Sequence, residues 1–236
     1  FAFSVLTSEA TLAAIAKKAK LKVSPKPFIQ VIPPVLMRPE VMHKMARLEP
    51  KEERYHIPGD DLYLVGSAEH TLGPLHMDEV LRKEDLPIRY VGYSTAFRRE
   101  AGSYGKDTKG ILRVHQFDKV EMESFTTPEE GIVEQDFLIA IQEYLMQQLG
   151  IPYQVVFKCV SDMGAPDFRE YDIEAWMPGQ GKYRETHTAD YMTDYQARRL
   201  GTRYAPSPTT PLPKGEGGRR PGEGKARTEF VHMNDA

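Results

Sequence analysis

The segment from Thr95 to Glu121, TAFRREAGSYGKDTKGILRVHQFDKVE, constrains this chain more than any other stretch. It opens on Phe97-Arg98-Arg99-Glu100 and crosses a polar loop, Ala101 to Gly110. From Leu112 to Phe125 it alternates, so Arg113, His115, Phe117, Lys119 and Glu121 share one face of a strand. Two strands joined by a long polar loop predict an antiparallel hairpin whose exposed face is cationic, aromatic and acidic. Arg98 and Glu100, two residues apart, point to one side.

That mixture suits a purine nucleotide. A guanidinium can hold a phosphate bidentately, a ring such as Phe117 offers a stacking surface, and a carboxylate such as Glu100 can accept from an exocyclic amine. A solvated hairpin with cross-strand ion pairs has the same composition, and the residue types alone leave both readings open.

At 236 residues the chain is long enough to bury a sizeable core. Its net charge of −3 gives no global basic field, so any RNA contact would be local. A single cysteine, Cys159, excludes a disulfide framework and a cysteine-built zinc site, and fits a reducing cytoplasm. No apolar run approaches the roughly 20 residues that span a bilayer, and the N-terminal residues do not form a signal peptide. Seven histidines without His-x-x-x-His spacing argue against a zinc hydrolase, and no Gly-x-Ser-x-Gly elbow is present.

Ser8 is a suitable N-cap for a helix to about Leu21, and Phe28 to Pro34 reads as a short strand stopped by two prolines. A short helix over Pro39 to Arg47 and a strand over Asp61 to Gly66 follow. Ser67-Ala68-Glu69 then stands at a strand-to-helix turn before a helix over His70–Leu81, where capping alone would explain Ser67 and Glu69. Apolar spacing through Ile132, Val133, Phe137, Ile141, Leu145 and Leu149 predicts a helix over Glu129 to Gln148, ended by Gly150. Tyr153 to Val160 reads as a central strand with Cys159 buried. Tyr171 to Met177 reads as a strand with Asp172, Glu174 and Trp176 on one face. Residues 201–228 change to Pro, Gly, Lys, Arg and Glu, the composition of a flexible surface loop.

Phe-Arg-x-Glu, Ala-Gly-Ser-x-Gly-Lys-Asp-Thr-x-Gly and His-Gln-Phe-Asp-Lys-Val-Glu together resemble the second motif of class II aminoacyl-tRNA synthetases, in the form of their seryl-specific branch. Flanking matches extend the resemblance over nearly the whole chain, read as one partial catalytic domain, residues 1–236. It implies an α+β core, a mostly antiparallel sheet of about six strands flanked by helices. It implies activation of L-serine by ATP with Mg²⁺ and transfer to tRNA(Ser), with tRNA(Sec) a second candidate, by a cytoplasmic homodimer with no membrane association. Phe28 to Pro34 resembles the strand that forms the dimer interface in that family.

The resemblance also assigns residues. Arg98 and Glu185 are the catalytic pair, Glu185 holding Mg²⁺. ATP is expected against Arg98, Arg99, Glu100, Val114, Phe117, Glu185, Thr186, His187 and Thr188, and serine against Ser67, Ala68, Glu69, Arg98 and Glu121. Ser67 stands where the family has Thr, and Thr188-Ala189-Asp190-Tyr191 departs from its usual Ser-Cys-Ser-Asn. The family's N-terminal tRNA-gripping arm and most of its third motif have no counterpart here, so the expectation is a fragment of a longer protein, the fragment being poorly active or inactive alone. A carrier-protein ligase or a non-catalytic binding homologue is the other reading, against which lone Cys159 offers no zinc site.

Overall fold

The computed structural model describes residues 1–101, 110, 112–205 and 228–236. Most of the expected hairpin loop Ala101 to Gly110 and of the Pro/Gly-rich stretch 201–228 lies outside the described residues. The centre is a seven-stranded sheet in the order β1 (Ile29–Val31), β6 (Ile88–Phe97), β7 (Gln116–Thr126), β13 (His232–Asp235), β10 (Lys182–Thr193), β9 (Arg169–Met177), β8 (Tyr153–Phe157). Only β1 and β6 pair in parallel; every other neighbouring pair is antiparallel. The expected α+β architecture is therefore present, with one strand more than the six expected.

Two small sheets flank it, one of β2 (Leu36–Met37), β4 (Leu62–Leu64) and β3 (His56–Ile57), the other of β12 (Glu229–Phe230), β11 (Arg203–Ala205) and β5 (Val80–Arg82). Strand β11 thus occupies the start of what composition alone reads as loop.

Alternation along β7 sends Met122 to one face and Phe125 to the other, so the sheet carries a core on each side. Helices α1 (Ala2–Leu6), α2 (Glu9–Ala19) and α5 (Gly131–Leu149) supply the core around Val91 and Met122. Helices α3 (Pro39–Lys44) and α6 (Tyr195–Leu200) pack on the Phe125 side with Met192 and Met233. Ser8 caps α2 as expected, its hydroxyl accepting from Thr11 N–H at 3.3 Å, and Lys17 and Lys18 complement the dipole in its last turn. Gly150 closes α5 at φ 65°, the left-handed conformation a glycine adopts without penalty.

Three expectations are corrected. The helix over His70–Leu81 shrinks to α4 (Glu69–Leu72), a 3₁₀ turn over Gly73–His76, and then β5. Continued as α-helix, Pro74 would press its ring on the carbonyl of His70. The strand after α5 is an edge strand, with Val155 39% and Phe157 63% exposed and Cys159 exposed. β-branched and aromatic composition does not distinguish an edge from a centre. On α5, Ile132 and Leu149 face solvent while Phe137, Leu138, Ile141 and Leu145 are buried.

Leu72 of α4 rests on Gly92 of β6, where a Cβ would come within 2.9 Å of Leu72 Cδ1. On the other face, Arg89 of β6 donates to both oxygens of Glu134 on α5, at 2.5 and 2.7 Å, and to the carbonyls of Ser24 and Lys26. Both side chains are essentially fully buried. Removing one partner of such a pair leaves an uncompensated buried charge, so Arg89→Ala is expected to cost about 3–5 kcal/mol. Urea unfolding monitored by circular dichroism reads this directly, and a midpoint equal to the parent's would contradict it.

Candidate active site

Above β6, β7 and β10 the structure opens into two adjoining cavities. The first, about 510 Å³, is bounded by Ser67, Glu69, His70, Glu121, Asp190 and Asp235, with Arg47 and Arg54 on its wall. The second, about 700 Å³, is bounded by Val114, Phe117, Glu174, Glu185, Thr186 and His187. Arg98, Glu100, Arg113, Lys119 and Thr188 line both.

The hairpin builds the shared wall. Phe97 of β6 pairs with Gln116 of β7, and Arg98 N–H donates to the His115 carbonyl at 3.0 Å. The Arg98 Nε donates to the Gly66 carbonyl at 3.1 Å, and its guanidinium lies 5.4 Å over the Phe117 ring. Glu100 is ion-paired to Arg113. Arg113 and His115 precede the strand itself.

In the first cavity Ser67 donates to Glu121 Oε2 at 2.5 Å, and Lys119 reaches Glu121 Oε1 at 3.0 Å and Ser67 Oγ at 3.3 Å. Arg47 donates from Nε to both oxygens of Glu69, at 2.8 and 3.1 Å, and Gln196 adds a third donor at 2.9 Å. Burial alone would raise the Glu69 carboxyl, but Arg47, His70 and these hydrogen bonds outweigh it and bring it to about 2. Burial pushes Asp190 and Asp235 well above the usual carboxylate range, with other carboxylates nearby adding to the effect. Burial likewise raises Asp167 to about 6, against the pull of Arg47.

A bulge shapes the second cavity. Along β10 Glu185 pairs with Glu174, but the register then skips Thr186, so that His187 pairs with Ile173 and Thr188 with Asp172. Without that extra residue Glu185 and Thr188 would point to opposite faces; with it they point the same way. Glu174 and Glu185 therefore stand directly opposite each other on the cavity side, and a cation between them would relieve the repulsion of like charges.

Most of the residues expected at the site converge here. Ala68 is fully buried behind Ser67, and Arg99 is exposed and lies outside the lining of both cavities. Sequence reasoning missed Arg47, Arg54, His70, Lys119, Asp190 and Asp235 as cavity residues. Lys119 stood on the correct face of the predicted strand and was the one with a visible signal. Arg47 and Asp235 reach the cavity only through tertiary folding.

Residues 52–210 match the family described as tRNA synthetase class II core domain (G, H, P, S and T). The chain belongs to that family. This synthetase core is 48% identical over 178 residues to a serine--tRNA ligase of Clavibacter sepedonicus, covering 75% of the chain and 42% of that protein. It is 50% identical over 177 residues to the serine--tRNA ligase of Acidothermus cellulolyticus, with the same coverage. Among solved structures, a seryl-tRNA synthetase from Pyrococcus horikoshii complexed with ATP superposes with a TM-score of 0.78 at 40% identity, covering 100% of this chain and 48% of the other. A cytoplasmic serine-tRNA ligase from Naegleria fowleri in complex with AMP gives 0.77 at 31% identity, covering 96% and 49%. The chain thus spans less than half the length of these relatives.

One wall residue of the synthetase core titrates in an accessible range. His70 Nδ1 accepts the Gly66 N–H at 3.2 Å, which requires the neutral ring. Burial, with Arg54, Arg47 and Arg98 nearby, outweighs Glu69 and lowers His70 from 6.5 to about 3. Between those values the unfolded chain carries the extra proton. Stability from neutral His70 is therefore complete above pH 6.5 and declines as pH falls towards 3. His70→Gln, which keeps an acceptor for Gly66, is expected to flatten the acid limb of the urea-midpoint profile, by up to about 1.4 kcal/mol per pH unit. Superimposable profiles for parent and variant would refute this.

Proposed function

We propose that this chain carries the amino-acid-activating site of a serine--tRNA ligase. The observation that carries the reading is the position of Arg98, where a cavity walled by Ser67, Glu69 and Glu121 meets one walled by Phe117 and Glu185. Serine occupies the first, its ammonium towards Glu69 and its hydroxyl towards Glu121. ATP occupies the second, with the adenine stacked on Phe117 and its amine at Glu100, Val114 contributing backbone contacts, and Thr186, His187 and Thr188 along the bulged strand. Arg99, also expected to bind ATP, lies outside the lining of both cavities. The carboxylate of serine and the α-phosphate then meet at Arg98.

Serine's carboxylate oxygen forms the new bond to the α-phosphorus, and the bond from that phosphorus to the bridging oxygen breaks, releasing pyrophosphate. The carboxylate is already ionised, so no protein base is needed. Arg98 aligns the phosphate and balances the charge that develops on it. Mg²⁺ fits the facing carboxylates Glu174 and Glu185, and when bound it neutralises phosphate charge. Glu69 keeps lone pairs for an ammonium although Arg47 and Gln196 use part of its capacity. Buried groups matched to the serine hydroxyl disfavour alanine, which would leave them unpaired.

The seryl group passes next to the terminal ribose of tRNA(Ser), with tRNA(Sec) as a second acceptor, in a cytoplasmic homodimer. The 51% and 95% exposure of Ile29 and Ile32 on the edge strand β1 and just beyond it supports that dimer face. Among the described residues no helix is long and apolar enough to cross a membrane.

ATP–pyrophosphate exchange across a panel of amino acids, run on the longest protein the gene encodes, tests the reading. Serine-dependent exchange is expected, with kcat/KM down about 100- to 1,000-fold in Arg98→Ala. Glu121→Ala is expected to lose the preference for serine over alanine. Exchange driven by a different amino acid would move the assignment to another synthetase, and no exchange with any would end it.

A further inference from the structure

Under the floor of the first cavity, cross-strand partners align four carboxylates. Glu123 of β7 stands opposite Asp235 of β13, Asp235 opposite Asp190 of β10, and Asp190 opposite Glu170 of β9. Direct partners share a face, so the four form one row. Asp167, just before β9, joins its end. Carboxylate oxygens of Asp167, Glu170 and Asp190 lie within 4.8 Å of one another.

Apart from Glu170, which accepts from Lys158 and from Gly164 N–H, these groups have oxygens without the partners that buried charges ordinarily have. Glu123, Asp235 and Asp190 are 0%, 3% and 8% exposed. Among the described residues, both oxygens of Glu123, and Oδ1 of Asp167, Asp190 and Asp235, have no hydrogen-bond partner. The cations beside the row are Arg47, 3.7 Å from Asp167 and 3.9 Å from Asp235, and Lys158, 2.7 Å from Glu170. Arg47 is already committed to Glu69. Among the described residues, five carboxyls therefore face two shared cations.

We propose that Asp167, Glu170 and Asp190 bind a single hard divalent cation, with Asp235 and Glu123 adding negative charge from the same row. The geometry suits one: a cation about 2.4 Å from each ligand can touch oxygens as far as about 4.8 Å apart. The donors are all carboxylate oxygens, with no imidazole or thiolate, which favours a Ca²⁺-, Mg²⁺- or Mn²⁺-like ion over softer metals. Asp190 and Asp235 line the cavity, so the ion has a route from solvent. The site is separate from the Glu174–Glu185 pair, which opens into the second cavity. It stands on the carboxylate row and does not depend on which amino acid is activated. The ion would tie the turn at Asp167 to β9 and β10 and set the charge beneath the bound amino acid.

The test is Mn²⁺ binding to chelator-treated, desalted protein without ATP, read by electron paramagnetic resonance of the free ion and competed with Ca²⁺. With the second-cavity ligand removed by Glu185→Gln, about one ion per chain is expected to remain, weakened about tenfold or more when Asp190→Asn or Asp167→Asn is added. Asparagine is the neutral isostere of a protonated aspartate, so these variants are expected to fold, which circular dichroism checks. Binding that is unchanged in both Asn variants, or abolished by Glu185→Gln alone, would overturn the proposal. So would the absence of Mn²⁺ binding, whether the carboxyls are then simply protonated or the occupant proves to be an ammonium group of the amino acid.

Discussion

The contact between Arg47 and Glu69 is where α3, α4 and α6 meet. Arg47 follows α3, Glu69 begins α4, and Gln196 of α6 donates both to Glu69 and to the Met45 carbonyl. Three short helices, each too short to be stable alone, are thereby referred to one carboxylate. The Arg47 carbonyl accepts from Arg54 Nε at 3.0 Å, which brings a second guanidinium to the cavity wall. Because the pair is buried among further acids, its worth lies in satisfying charges that folding has already desolvated. Losing Arg47 would take the shared counter-ion from Glu69, Asp167 and Asp235 together, whereas losing Glu69 would leave the buried guanidinium to the other two acids.

On the opposite face, α5 performs a matching task with neutral groups. Gln135 donates to the Ala189 and Arg169 carbonyls at 2.8 Å each, and Gln142 donates to the Thr188 carbonyl at 2.5 Å. A bulge disrupts a ladder locally and leaves backbone groups to be satisfied by other means. The two amides from α5 fasten the strand immediately beyond the skipped residue, Thr186. That residue is itself tied down, its hydroxyl donating to the Ile173 carbonyl at 3.0 Å. The turning of Glu185 and Thr188 to one face is thus fixed from behind by Gln135 and Gln142, which line neither cavity, and at the bulge by Thr186 itself.

The legible part of this chain was the part where chemistry is local. The hairpin with its β7 face, the Ser8 cap and the Gly150 stop follow from period, propensity and spacing, whereas Glu185 to Thr188 of β10 were legible only through the family resemblance. What could not be read was whatever depends on sequence-distant partners. Gln135 and Gln142 look like solvent-facing residues of an amphipathic helix until β10 is placed against them. Asp190 reads as a departure from a motif, and Asp235 as an acid near a strand end, until the sheet order sets them side by side. The expected helix over His70–Leu81 stops for a different cause, a local one: Gly73-Pro74 cannot continue an α-helix begun at Glu69.

A net charge of −3 conceals how strongly this site is polarised. Arg98, Arg113 and Lys119 line both cavities, with Arg54 beside them, whereas the floor of the first is made of Asp190 and Asp235. A ligand with phosphates at one end and an ammonium at the other has one favourable orientation in such a field, phosphates at the guanidinium groups and ammonium towards the acids. In water that preference would be weak at these separations, but partial burial lowers the effective dielectric and enlarges it several-fold. The same field makes an unoccupied floor costly, since its carboxylates must take up protons or a cation when no ammonium is there. Orientation of the substrate and the demand for a counter-ion are therefore two consequences of one arrangement, strands β7, β13, β10 and β9 each contributing a carboxylate to the same row.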